Sequence, residues 1–203
     1  MLKKTCKILS IFAKEPWKRF TFKDIKNLSE SKSESYVYNA LKQFVRENIL
    51  HQEKIGNVLA YSVNHSSKAA ANLAAASEYE AWHKKHIPYK DMENIIFKIP
   101  ANFFTFMVTG SYAKGKQTKG SDIDVVILCS IEPKKIYAEL KHICEMNIPQ
   151  IHLYVFTETE FLNMLLDKKP NYGKETAKNN LILSGAEAYY RIVLEAIKNG
   201  FIG

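Results

Sequence analysis

The chain has 203 residues, 46% of them hydrophobic and 25% charged, with a formal net charge of +8. This is the composition of an ordinary folded protein, long enough for one large domain or two small ones, and it excludes a disordered or fibrous chain. No apolar run reaches membrane length, so no membrane role is expected.

The charge is unevenly placed. Residues 1–65 carry 12 Lys/Arg against 6 Asp/Glu, a net of +6, whereas residues 66–203 carry 17 against 15, a net of +2. The positive first third points to an anionic partner for that part of the chain. Cys6, Cys129 and Cys144 are odd in number and widely spaced, without metal-site or redox spacing. A reduced, cytoplasmic chain fits this usage best. Near the N-terminus the apolar stretch from Ile8 to Ala13 is cut at once by Lys14 and Glu15, too short for a signal peptide.

In chain order, Thr5 to Ala13 reads as a short amphipathic helix that Pro16 stops. Thr21 to Leu28 reads as a second short helix, followed by a polar turn over Ser29 to Ser33. Ser33 is placed to cap a third helix running to about Asn48, with Val37, Ala40, Leu41, Phe44 and Val45 at helical spacing. Ile49 to Lys54 and Val58 to Val63 then read as a hairpin turning at Gly56 and Asn57. Three helices and a hairpin over residues 1–65 resemble a winged helix-turn-helix domain, which implies a third helix in the DNA major groove and the hairpin as wing. The outer side of that helix offers Lys32, Ser35, Tyr36, Asn39 and Lys42, joined by Ser33 and Tyr38, with Lys54 on the wing; these side chains can reach phosphates and base edges. Two blander readings stand beside this one. Winged helices also serve as protein-interaction modules, and Tyr36 and Tyr38 can pack rather than touch DNA.

Residues 66–90 read as a connector, with an Ala-rich helix from Ala69 to His86 ended by Pro88. Residues 91–203 form the rest: a short helix from Asp91 to Lys98, a buried strand from Phe103 to Val108, and a turn at Gly110 and Ser111. A second strand covers Val125 to Leu128, an amphipathic helix Pro133 to Met146, and a third strand Gln150 to Phe156. This strand–helix–strand order gives a crossover on one face of a sheet. Glu158 to Lys168 is helical; Lys174 to Asn180, an apolar piece from Leu181 to Leu183 and a helix from Ala186 to Lys198 complete the chain.

Asp122 and Asp124 are two apart at the start of the second strand, so their carboxylates point to one face. They can close on one hard cation, and Mg²⁺ takes oxygen ligands from one or two carboxylates plus substrate phosphates. Gly110 and Ser111 bring backbone N–H groups and a hydroxyl near that cation, a cradle for a phosphate tail.

An apolar strand ending in Gly110-Ser111, a spacer of ten residues, then Asp122-Ile123-Asp124 resembles the minimal nucleotidyltransferase branch of the DNA polymerase β-like superfamily. Tyr112, Ala113, Gly115 and Ser121 add to the likeness, and Gly185 to Tyr190 resembles segments that follow this core in prokaryotic, often archaeal, sequences. The resemblance implies an α+β fold: an N-terminal winged helix-turn-helix followed by a nucleotidyltransferase-like mixed sheet flanked by helices. It implies an NTP site with Mg²⁺ at Asp122 and Asp124, phosphates gripped by Gly110 and Ser111, and support from Lys114 or Lys116, on the helix after the turn, and from Ser121. Catalytic members carry a third carboxylate on a later strand, where this chain has His152. Histidine is a poor Mg²⁺ ligand; it can act as a general base, or it is simply a polar strand residue. Glu158 and Glu160 read as the first turn of the next helix.

The expected function is transfer of a nucleoside monophosphate from NTP to an unknown acceptor. Two alternatives stay open: a transcriptional regulator whose nucleotidyltransferase-like domain binds nucleotide without catalysis, and an antitoxin-like partner of a helical toxin. A homodimer is expected on the helix-turn-helix reading.

Overall fold

The computed structural model describes residues 2–130 and 132–203, with side chains for residues 6–130 and 132–203. Helix α1 (Leu2–Lys14) ends before Pro16. A two-residue strand, β1 (Phe20–Thr21), leads into α2 (Phe22–Leu28). Thr21 caps α2: its hydroxyl accepts the Asp24 N–H, and the Asp24 carboxylate accepts the Thr21 N–H at 2.9 Å. The hydroxyl and N–H of Thr21 hold the Asp24 carboxyl below its usual range.

Helix α3 (Glu34–Arg46) is capped by Ser33 and buries Val37, Ala40, Leu41 and Phe44. It stops at Arg46 rather than Asn48, because Asn48 takes a φ of +57° and turns the chain into the next strand. Strands β2 (Leu50–Ile55) and β3 (Val58–Val63) form the expected hairpin around Gly56, whose φ is +60°. β3 also pairs with β1, giving the antiparallel order β1-β3-β2. Two residues are too short to show an alternating pattern, and β1 was not read from the sequence.

Helix α4 (Ser67–Ala81) is shorter than the expected Ala69–His86. Tertiary hydrogen bonds override the helical composition there. The Trp82 indole N–H donates to the Leu183 carbonyl at 2.9 Å, and the Tyr89 hydroxyl donates to the Ala81 carbonyl at 2.6 Å. Helix α5 (Tyr89–Ile96) follows.

The second half is built from β4 (Phe104–Thr109), the short α6 (Gly110–Ala113), β5 (Ile123–Cys129), α7 (Pro133–Glu145), β6 (Ile151–Thr157), α8 (Glu158–Leu166), α9 (Tyr172–Lys178), β7 (Leu181–Ser184) and α10 (Ala186–Lys198). Its four strands lie in the order β6-β5-β4-β7. β5 and β6 are parallel across the α7 crossover; β4 is antiparallel to β5 and to β7. The protein is thus a mixed α+β fold. The apolar piece at Leu181–Leu183 proves to be an edge strand of the same sheet.

Alternate residues of this sheet enter two cores. Met107, Val126, Leu128 and Ile182 join a cluster that continues through α10 and α4 to α1 and α3. Phe106, Val108, Val125 and Ile127 join Met92 and Ile95 of α5 and Ile136 and Leu140 of α7. β5 is therefore buried on both faces, which is why Val125 to Leu128 reads as an unbroken apolar run. The first cluster is stitched by polar ties: the Tyr190 hydroxyl donates to the Ala13 carbonyl at 3.0 Å, and the Glu78 carboxylate accepts the Ala186 N–H at 2.8 Å. No helix among the described residues is long and apolar enough to cross a membrane.

Gly185 ends β7 with a φ of +72°, and a Cβ there would meet the Phe104 carbonyl oxygen at 1.9 Å. Only glycine fits this closure of the sheet edge. Gly185→Ala is expected to destabilise the protein by about 3 kcal/mol or more, measured as a lower urea midpoint.

Candidate active site

The site is assembled by strand register. Thr109, the last residue of β4, lies opposite Asp124 of β5, and Asp124 lies opposite His152 of β6. Three adjacent strands therefore bring the Gly110 turn, Asp124 and His152 side by side. Asp122 sits one residue before β5 and is exposed. The His152 ring lies between the two carboxylates, with Nε2 3.5 Å from Asp122 Oδ2 and Nδ1 3.7 Å from Asp124 Oδ1. These are ion-pair rather than hydrogen-bond distances.

Gly110 makes the constellation possible. Its φ is +64°, and a Cβ at this position would fall 2.0 Å from Asp124 Oδ2. The carboxylate thus rests directly against the backbone of the turn. The Thr109 side chain does not cap α6, and the Ser111 hydroxyl has no hydrogen-bond partner among the described residues. Burial pushes the Asp124 carboxyl above its usual range; His152 opposes the shift and the Asp122 charge adds to it.

Several residues around this centre were not singled out in the sequence. The Thr109 hydroxyl lies 3.2 Å from the Tyr172 hydroxyl of α9. Burial raises the Tyr172 phenol to about 12, with the Thr109 hydrogen bond opposing, so it stays protonated beside Asp124. The Tyr172 ring sits 4.6 Å from that of Tyr154 on β6. His86 Nε2 lies 2.8 Å from the Tyr112 carbonyl, and because a carbonyl only accepts, the ring must donate from Nε2. Thr109 directly precedes the Gly-Ser pair and could have been included with it. Tyr172 and His86 reach the site only through tertiary packing, which no local pattern announces.

Other expected residues are distributed differently. Lys114 is the C-cap of α6 and Lys116 lies beyond it, so neither is on a helix after the turn; α6 ends at Ala113. Both lysines are exposed. The Ser121 hydroxyl accepts the Thr118 N–H at 2.8 Å and thereby closes the loop before Asp122. Glu160 is taken up by a capping box, its carboxylate accepting the Thr157 N–H at 2.7 Å. Among the described residues no third carboxylate takes the place of His152. Among the described residues no group of three or more His, Cys, Asp and Glu side chains is arranged to hold a metal ion. Two hard carboxylate oxygens still suit Mg²⁺ when phosphates and water supply the remaining ligands.

Ser35, Tyr38, Asn39 and Lys42 are exposed on α3, whereas Lys32 and the cap Ser33 are exposed in the turn before it, so Lys32 is not on the helix. Tyr36 is half-buried and packs against the core. Lys54 is exposed on β2. Lys32, Lys42 and Lys54 make no ion pair among the described residues, whereas Lys26 is paired with Glu34.

Residues 104–183 match the family model of the nucleotidyltransferase domain. The matched segment runs from the first residue of β4 into β7, so it takes in β4, β5, β6 and most of β7, with Gly110, Asp122, Asp124, His152 and Tyr172, while His86 lies outside it. Neither a search of curated proteins nor one of solved structures returns a match.

Gly110→Ala forces the Asp124 carboxylate out of place, and the left-handed backbone adds about 1–2 kcal/mol of strain. The variant is expected to keep its fold by circular dichroism while losing any rise in melting temperature produced by NTP and Mg²⁺. A retained rise would show that the contact between Gly110 and Asp124 is dispensable.

Proposed function

We propose that residues 91–203 transfer a nucleoside monophosphate from an NTP to an acceptor hydroxyl with Mg²⁺, and that residues 1–65 form a winged helix-turn-helix that binds DNA. Residues 66–90 connect the two. The observation that carries the first part is the contact of Gly110 with Asp124, with Asp122 on the same face, inside a segment that matches the nucleotidyltransferase domain. Gly110 and Ser111 hold the terminal phosphates, and Asp122 and Asp124 hold the cation. A bound Mg²⁺ supplies neutralisation of the phosphate charge. Lys114 and Lys116 add positive potential at the rim. His152, beside both carboxylates, relays the hydroxyl proton to water. Phosphoryl chemistry of this kind needs chiefly positioning and electrostatic stabilisation.

The second part rests on the order of three helices and a three-stranded antiparallel sheet, together with the net +6 of residues 1–65. On this reading Ser35, Asn39 and Lys42 face DNA from α3, Lys32 from the turn before it and Lys54 from the wing, while Tyr36 steadies α3 from within. Three free, buried cysteines are in keeping with a reduced, cytoplasmic setting. His152 in place of an acid favours one second reading, a regulator whose site binds nucleotide without turnover.

ATP or another NTP with Mg²⁺ should raise the melting temperature, by about 2.7 kcal/mol of stabilisation at a hundredfold excess over Kd. Asp122→Asn with Asp124→Asn should abolish the rise, and no rise with any NTP would refute both nucleotide readings. Given a rise, labelled NTP separates enzyme from regulator: label transferred to an acceptor and lost in the double variant supports turnover. For the N-terminal part, Lys42→Glu should weaken DNA binding and lower the slope of log affinity against log salt by about one. Binding indifferent to salt would point to a protein-interaction surface.

A further inference from the structure

Tyr172 has no part in phosphate or metal binding, yet it reaches the centre of the site from outside the sheet. The strand register locates it. Thr109, Asp124 and His152 are neighbours across β4, β5 and β6, and the next positions on the same face are Met107, Val126 and Tyr154. The Tyr172 ring meets β6, at 4.6 Å from the ring of Tyr154 and 6.3 Å from that of Phe156. Its hydroxyl meets β4, 3.2 Å from the Thr109 hydroxyl. The side chain therefore spans β5, directly behind Asp124.

The hydroxyls have one consistent direction. The Thr109 hydroxyl donates to the Asp124 backbone carbonyl at 3.5 Å, and a carbonyl only accepts. The phenol keeps its proton at neutral pH and donates in turn to Thr109. Both bonds are long, so they orient their partners more than they clamp them. They act where the sheet has least support. β7 pairs with β4 only as far as Val108, and Thr109 with Asp124 is the last pair of the β4–β5 ladder. Beyond Val108 the Thr109 side chain is tied to α9 instead.

Helix α9 is a fixed support for this tie. Tyr172 is its first residue, and Asn171 caps it. The Asn171 amide donates to the Met164 carbonyl of α8 at 2.7 Å, while its oxygen accepts the Lys174 N–H at 3.1 Å. A Cβ on Gly173 would lie 2.6 Å from the Met164 Cβ, so only glycine lets α9 sit this close to α8. Just past the other end, Asn180 donates to the Thr176 carbonyl at 2.8 Å and to the Tyr189 hydroxyl of α10 at 3.0 Å. None of these ties involves β4 or β5. The position of Tyr172 is thus set by α8 and α10, and the end of the β4–β5 ladder is set against it.

We propose that Tyr172 is a positioning residue for the nucleotide site: through Thr109 it fixes the Gly110 turn and Asp124 at the separation that Mg²⁺ and the terminal phosphates of an NTP require. This rests on the nucleotidyl-transfer reading. No bond or proton changes hands through Tyr172. It acts as the outer partner of a metal ligand does, by holding the ligand's orientation before the metal arrives.

The test follows the melting temperature of the full chain with ATP, GTP, CTP or UTP at fixed concentration while Mg²⁺ is titrated. Tyr172→Phe keeps the ring contacts and removes the hydroxyl alone. It should lower the ligand-free melting temperature by no more than about 4 °C and raise the Mg²⁺ concentration at half effect about tenfold. Thr109→Val should do the same, and the double variant should do no more than either single change, because all three cut one chain of hydroxyls. Thr109→Ser, which keeps the hydroxyl, should restore most of the Mg²⁺ response. Tyr190→Phe, which cuts the buried tie to Ala13, should lower the melting temperature and leave the Mg²⁺ midpoint in place. An unmoved midpoint in Tyr172→Phe overturns the proposal and leaves nucleotide binding standing, as does a double variant whose two effects multiply. A midpoint that moves as far in Tyr190→Phe also overturns it, because lost stability alone then produces the effect. No rise with any NTP in the parent removes the nucleotide reading and this proposal with it.

Discussion

Strand β5 is covered on both faces and paired along both edges, and that confinement places everything at the candidate site. Val125 to Cys129 are buried between two layers of helices, so the register of β5 against β4 and β6 cannot slip without exposing them. A shift of one residue would exchange the two faces. Asp124 emerges where the double burial ends, and the fixed register sets Thr109 on one side of it and His152 on the other. The chemistry of the site thus inherits its geometry from apolar side chains that never touch a substrate. Gly110 completes the arrangement, because only a residue without a Cβ lets the β4 turn close onto the Asp124 carboxylate.

Helix α4 plays the comparable part between the two sheets. Its alanines, among them Ala69, Ala70, Ala74 and Ala76, are buried, and small side chains allow close approach to α1 and α10. The hydrogen bonds of Glu78, Trp82 and Tyr190 fix how these elements meet. A buried carbonyl left without its donor costs about 1–3 kcal/mol, so the bond from Tyr190 to Ala13 resists any sliding of α10 along α1. Apolar packing supplies the attraction, and the polar ties select one relative position.

Most elements were legible because their signals are local. Ser33 caps a helix, Gly56 turns a hairpin, and β5 reads as an unbroken apolar run. The pairing of the Gly110 turn with Asp124 was equally legible, since a spacer of only ten residues between Gly110-Ser111 and Asp122 brings the facing ends of two strands together. What was missed depends on contacts distant in sequence. Ala-rich composition carried the α4 reading to His86, but the bond from Trp82 to Leu183, 101 residues away, ends the helix earlier. Tyr172 approaches Asp124 only because α9 folds back across β6. β7 carries just four residues, and the piece was legible as apolar but not as a partner of β4.

His152 alters the electrostatics of the centre in a way that bears on how it would be filled. Burial makes ionisation of Asp124 costly, and the neighbouring Asp122 charge adds to that cost. A third carboxylate would deepen that repulsion while building a cage able to hold a cation by itself. The His152 ring lies beside both acids, opposes the upward shift at Asp124 and contributes no hard oxygen. In the proposed reaction the cation is therefore held by two carboxylates and completed by the nucleotide's own phosphates. Metal and nucleotide then bind as a unit, each lowering the cost of placing the other. The site then depends on its ligand for assembly, a property that serves an enzyme and a nucleotide-sensing regulator alike.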